Sequence, residues 1–166
     1  MTILRPRLPG YVLCFALLAA LASGSASAAT CGGLPNPILV TATGVAFGLY
    51  SPGANAPARS NGTVTVTCTI TIGATLPSFT IALSAGTYGT FTQRKMGFGT
   101  ARLNYNLYTT DALGTIWGDG TTPSATQSYT ASALALTSFT VYGSLAIHQF
   151  ASLGVFADGI TVTVTY

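Results

Sequence analysis

The sequence contains no glutamate, and its 166 residues include only three aspartates, one lysine and one histidine. That scarcity removes most of the groups an enzyme uses for proton transfer. His148, in SLAIHQFAS, has no second ligand at a metal-binding spacing, so a metal centre is not expected. Asp111, Asp119 and Asp158 fall in separate turn-like segments, where aspartate is favoured because its carboxylate accepts from nearby backbone. The stretch WGDG, residues 117–120, offers one acid where a calcium loop needs several oxygens. No serine lies in a G-x-S-x-G elbow followed by acid and histidine partners. A secreted hydrolase is the weakest reading, and neither catalytic residues nor a cofactor is expected.

Long apolar runs are also lacking. The one candidate, YVLCFALLAALA at residues 11–22, is shorter than the roughly 20 residues of a membrane span. It follows Arg5 and Arg7 and precedes small residues ending in Ala26-Ser27-Ala28, the three-part pattern of a secretory signal peptide. Residues 1–28 are read as that signal and residues 29–166 as one mature domain. The mature segment has Arg59, Arg94, Lys95 and Arg102 against three aspartates, a net charge of +1. Four scattered cations read as solvated surface and give no footprint for nucleic acid or an anionic membrane.

Removing the signal leaves two cysteines, Cys31 and Cys68. In an exported chain they are expected to form one disulfide. The loop it closes is nearly forty residues, a constraint of about 3 to 4 kcal/mol in the chain-entropy model. Lipidation of Cys31 is the rival reading, but the preceding AAT lacks the residues of a lipoprotein signal.

What the sequence has in abundance is alternation with a period of two. GTVTVTCTITIG, residues 62–73, sets Val64, Val66, Cys68, Ile70 and Ile72 against five threonines, after the turn dipeptide Asn61-Gly62. Residues 38–48, 78–84, 101–109 and 138–146 read as further strands, separated by clusters such as Ser51-Pro52-Gly53 and Gly118-Asp119-Gly120. The chain closes on ITVTVTY, with Ile160, Val162, Val164 and Tyr166 on one face. No mature segment keeps a helical stripe, so the fold class is all-β; many short strands argue for a sandwich or barrel, and the expected disulfide between an early strand and the next favours an immunoglobulin-like sandwich. Tyr50, Tyr88, Phe91, Tyr105, Tyr108, Trp117, Tyr142 and Phe156 read as core or cross-strand partners. An uncharged, proline-free terminal strand is a template for pairing with another chain.

Cys31, TATGVAFGLYSP, NGTVTVTC ending at Cys68, IALSAG (81–86), Arg94, Met96, LNYNLYTTD (103–111), WGDGT (117–121), FTVYG (139–143), Gly154, Asp158 and the closing VTVTY together resemble the spore coat protein U domain. The resemblance runs from about Cys31 to Tyr166, with Phe156 where the family usually has tyrosine. It implies an exported subunit of an archaic chaperone-usher pilus or surface coat. It also implies a sandwich lacking one strand, whose groove takes a strand first from a periplasmic chaperone and then, at an outer-membrane usher, from a neighbouring subunit. On that basis Ile160, Val162, Val164 and Tyr166 are expected to line the groove. Cleavage after Ala28 leaves only Ala29 and Thr30 before Cys31, so the expected subunit accepts a strand without donating one, at a distal or tip position or in a coat. The alternative is an adhesive or ligand-binding domain with PGANAP (52–57) or SLAIHQFASLGVF (144–156) as presenting loops and Leu145, Ile147, Phe150 and Leu153 as an exposed apolar cluster.

Overall fold

The structure, a computed structural model, describes residues 38–53, 55–68, 78–130 and 136–166. Among these residues there is no helix, and ten strands occur: β1 (Ile38–Thr43), β2 (Ala58–Cys68), β3 (Ser78–Leu83), β4 (Arg94–Phe98), β5 (Ala101–Tyr108), β6 (Ile116–Trp117), β7 (Ser124–Ala125), β8 (Gln127–Thr130), β9 (Leu136–Leu145) and β10 (Val162–Thr165). They form an immunoglobulin-like sandwich of two sheets. The larger runs β1-β2-β9-β5-β6-β7, with β4 also paired to β5, and the smaller runs β10-β3-β8.

The alternating segments place their apolar sets inward. Val64, Val66 and Cys68 of β2, Val141 and Leu145 of β9, and Leu103, Tyr105 and Leu107 of β5 are buried. Facing them are Phe79, Ile81 and Leu83 of β3. Phe79, Tyr129 and Phe139 meet with ring centroids 5.4 to 6.2 Å apart. Trp117 is fully buried at 6.5 Å from Phe139 and donates its indole N–H to Ile81 O at 2.9 Å, tying the larger sheet to the smaller. Each such aromatic pair contributes about 0.5–1.5 kcal/mol beyond area burial.

Several expectations change. Asn61-Gly62 is not a turn: both residues lie inside β2, paired with Tyr142 and Val141. Glycine is needed there because a Cβ on Gly62 would sit 2.6 Å from Thr43 O, where the chain leaving β1 passes over. The strand expected over 38–48 stops at Thr43, and beyond it the chain crosses the inner face, with Val45 and Phe47 lying over Gly143 of β9. β4 and β8 carry Arg94 and Gln127 at inward positions, so neither shows an apolar alternation.

Another correction concerns charge. Arg94 is not solvated surface but fully buried. Its Nε and Nη2 donate to Ser84 O at 3.0 and 2.8 Å, Nη2 also to Trp117 O at 2.7 Å, and Nη1 to Asn106 Oδ1 at 2.7 Å. Desolvation lowers its pKa, and the nearby Tyr105 and Asp158 oppose that. The fork therefore ties the loop after β3, the β5 strand and the β6 turn together with charge-assisted bonds.

Candidate functional site

Among the described residues each sheet ends at an edge that faces the other. Among the described residues β1 pairs only with β2, and β10 pairs only with β3, through Val162↔Leu83 and Val164↔Ile81. Between these edges runs a groove of about 510 Å³ that reaches the core. One wall is the crossing segment 42–47, the other is formed by Phe156, Asp158, Ile160 and Val162, and the floor includes Val64, Leu83, Leu107 and Val141. A second hollow of about 370 Å³ adjoins it, sharing Val45, Phe47, Met96 and Phe156 and extending to Tyr50 and Gly154. The floor residues are buried, whereas the apolar wall residues Val45, Phe47, Phe156, Ile160 and Val162 are half-buried.

The second wall is more regular than its strand assignment suggests. From Gly154 to Val164 every even-numbered residue is half-buried and every odd-numbered one is exposed. Gly154, Phe156, Asp158, Ile160, Val162 and Val164 share one inward face, as an extended chain requires. Ile160, Val162 and Val164 pack on the core, and the first two line the groove. Tyr166 continues the parity but is 60% exposed and lies outside that core contact.

Asp158 is the one carboxylate in this row, and it is not a turn residue serving its own loop. Its Oδ2 accepts from Tyr105 Oη at 2.7 Å and its Oδ1 from Thr87 N at 2.8 Å. Gly86, at φ 84°, lies against it so closely that an added Cβ would stand 2.0 Å from Oδ2. Burial, followed by the hydrogen bond and charge of Asp158, pushes the Tyr105 pKa well above its ordinary value. Extending the terminal alternation six residues towards the N-terminus would have revealed Asp158 and Phe156 as wall residues; the Asp158-Gly159 turn signal hid it. Asp119, by contrast, behaves as a local turn aspartate, accepting from Thr121 N, Thr121 Oγ1 and Ser124 Oγ. These bonds, the Thr121 hydroxyl foremost, lower its pKa.

The four residues expected as an apolar surface cluster do not share one environment. Leu145 is 2% exposed, because the β9 alternation points it into the core beside Tyr105 and Ala58. Ile147 is half-buried, whereas Phe150 and Leu153 are exposed, together with Val155. The loop carrying them is anchored by Gln149, whose side chain donates to Asn104 O and Ala146 O, each at 2.9 Å, and accepts from Asn104 N. Tyr50 Oη donates to Gln149 O and accepts from Gln149 N. His148 lies in this loop at φ 55°. Among the described residues no group of three or more His, Cys, Asp or Glu side chains is placed to hold a metal, and no helix is long and apolar enough to cross a membrane. Cys68 is buried at the end of β2; Cys31 and residues 1–28 lie outside the described residues.

In fold, the chain resembles a chain in the crystal structure of the CsuC-CsuE chaperone-tip adhesion subunit pre-assembly complex from archaic chaperone-usher Csu pili of Acinetobacter baumannii, with TM-score 0.55 and 18% identity. The match covers 79% of this chain and 40% of that one, so the chain spans about two fifths of the length of the protein it matches. No curated protein matches it in sequence. The model of the Spore Coat Protein U domain matches residues 17–163. This span contains both walls of the groove, the buried Arg94 fork and the inward row through Asp158, and the chain belongs to the Spore Coat Protein U domain family.

Proposed function

We propose that the chain is an exported structural subunit of a chaperone-usher pilus or surface coat, and that a β-strand from another polypeptide fills its groove. The observation that carries this reading is the open trough itself. A cleft with half-buried apolar walls, beside a strand that among the described residues is hydrogen-bonded on one side only, is a site for strand addition. Main-chain bonds to the free edge of β10 supply affinity, and alternate apolar side chains enter the trough between Val45, Phe47, Ile160 and Val162. The similar fold of a subunit solved in a chaperone complex supports the same occupant. The partners are then a periplasmic chaperone, an outer-membrane usher and neighbouring subunits, with no enzymatic step.

The reading includes a signal peptide over residues 1–28 and a disulfide between Cys31 and Cys68, consistent with Cys68 being buried and not a free thiol. A distal or tip position depends on cleavage after Ala28; mass spectrometry of the mature N-terminus checks it, and ten or more residues ahead of Cys31 remove it. The central test is expression with and without the cognate chaperone. The chain is expected to be stable and soluble only in the complex, and Val162→Asp, which puts a charge on the trough wall, is expected to abolish that complex. A chain that is monomeric and unfolds in two states alone refutes the missing-strand reading.

A second reading, adhesion, is favoured by one observation: Phe150, Leu153 and Val155 are 106%, 70% and 81% exposed on a loop that Gln149 holds in place. Polar replacement of Phe150 and Leu153 is expected to reduce binding of assembled material to apolar surfaces without lowering assembly. Unchanged surface binding removes this reading.

A further inference from the structure

On the wall formed by residues 154–164 the proposed groove has one polar side chain. In the inward row Gly154, Phe156, Asp158, Ile160, Val162, Val164, the carboxylate lies in the middle, with apolar side chains beyond it on the C-terminal side and Phe156 on the other. Asp158 lines the trough, and so does its partner Tyr105. The carboxylate is already fixed by hydrogen bonds from Tyr105 Oη and Thr87 N, so it does not have to reorganise to meet a ligand. Two oxygens offer about four acceptor sites, and these contacts use two of them. A wholly apolar strand laid along this wall covers the remaining acceptor capacity without a donor, which is costly for a carboxylate.

Resting on the strand-addition reading above, we infer that Asp158 is a specificity residue of the groove. The strand that fills it is apolar at alternate inward positions, except at the position level with Asp158, where it carries a hydrogen-bond donor. A neutral hydroxyl, serine or threonine, is the matching group. The buried Arg94 guanidinium already acts electrostatically on Asp158 and Tyr105, so a second cation is not required, while an acid on the incoming strand meets like charge. Asp158 thereby sets the register of the incoming strand, because sliding it by two residues places a valine or leucine against the carboxylate.

The test uses the full mature chain, held in its chaperone complex until a peptide displaces the chaperone strand, and three synthetic nonapeptides, Val-Thr-Val-Thr-X-Thr-Val-Thr-Val with a lysine added at each end, where X is Thr, Leu or Asp. The sequence reads alike in both directions apart from chain polarity, so X meets the middle of the groove in either strand orientation. Affinity is measured by competition against a fluorescent copy of the X = Thr peptide. The expected order is Thr above Leu by about tenfold, with Asp weakest, as a charge-assisted hydrogen bond implies. In Asp158→Asn the Asp peptide is expected to recover at least tenfold relative to Thr; should that variant fail to fold, the order on the wild-type chain still decides. Equal affinity for Thr and Leu peptides overturns the role of Asp158 while leaving strand addition standing. If none of the three binds, the strand-addition reading and this inference fail together.

Discussion

Replacing Arg94 with methionine, which fills similar space without a charge or a donor, should expose what holds the two ends of the sandwich in place. The side chain is fully buried, and its loss strips donors from Ser84 O, Trp117 O and Asn106 Oδ1. Asn106 Oδ1 keeps a second donor in Leu107 N, so the two main-chain carbonyls bear most of the loss. A buried acceptor left without a partner costs about 1–3 kcal/mol. Against this, the guanidinium no longer has to be stripped of water, which offsets part of the loss. The net expectation is a loss of about 2–4 kcal/mol, a large share of the 5–15 kcal/mol of a typical domain. Trp117 is the sole tryptophan, is buried, and carries the affected carbonyl, so its emission during urea denaturation of the mature chain with the X = Thr peptide filling its groove reports the change directly. With a urea slope of about 1–3 kcal/mol/M, the midpoint should fall by about 1 M or more. Arg94→Lys keeps charge but lacks the planar fork, so it should recover only part of the loss. A midpoint within about 0.3 M of wild type for Arg94→Met would refute the argument that the fork holds the β3 loop, β5 and β6 together.

The other expectations concern groove, packing and pH. Gly143→Val adds a Cβ that would stand 2.4 Å from Val45 and 2.8 Å from Phe47. Displacing the crossing segment should lower stability by about 1–3 kcal/mol and weaken strand binding, measurable by denaturation and by the peptide competition. The Tyr105 hydroxyl has a folded-state pKa raised above the unfolded value, chiefly by burial. Its contribution is therefore complete below the ordinary tyrosine value near 10 and declines as pH rises beyond it, by about 1.4 kcal/mol per pH unit while the native group stays protonated. Tyr105→Phe should be less stable at neutral pH and show a shallower loss between pH 10 and 11.5; an unchanged slope sinks that assignment. Trp117→Phe removes the donor to Ile81 O and should cost about 1–3 kcal/mol, followed by circular dichroism because the fluorescent reporter is gone.

The alternation of apolar and polar residues made the all-β class legible, and it identified the buried faces of β2, β3, β5, β9 and β10 because a strand's side-chain period is a local property. Val64, Ile81, Leu103 and Val141 all point where that pattern puts them. The same rule, applied over too short a stretch, stopped at Ile160 and missed the wall continuing to Gly154. Leu145 shows the complementary error: it looked like the start of a surface loop, yet its parity on β9 places it in the core.

What the sequence by itself determined was the class of fold, the inward set of each regular strand and the scarcity of catalytic groups, all of which depend on composition or on neighbours one or two residues apart. Only the tertiary structure decided what the few polar residues do. Arg94 reads as a surface cation until Ser84, Asn106 and Trp117 surround it, and Asp158 reads as a turn residue until Tyr105, 53 positions away, donates to it. Gly62 reads as a turn residue until the segment after β1 crosses it. A charge or a glycine carries no periodic signal of its own; its role is set by which distant backbone or side-chain atoms the fold brings within hydrogen-bonding or van der Waals reach.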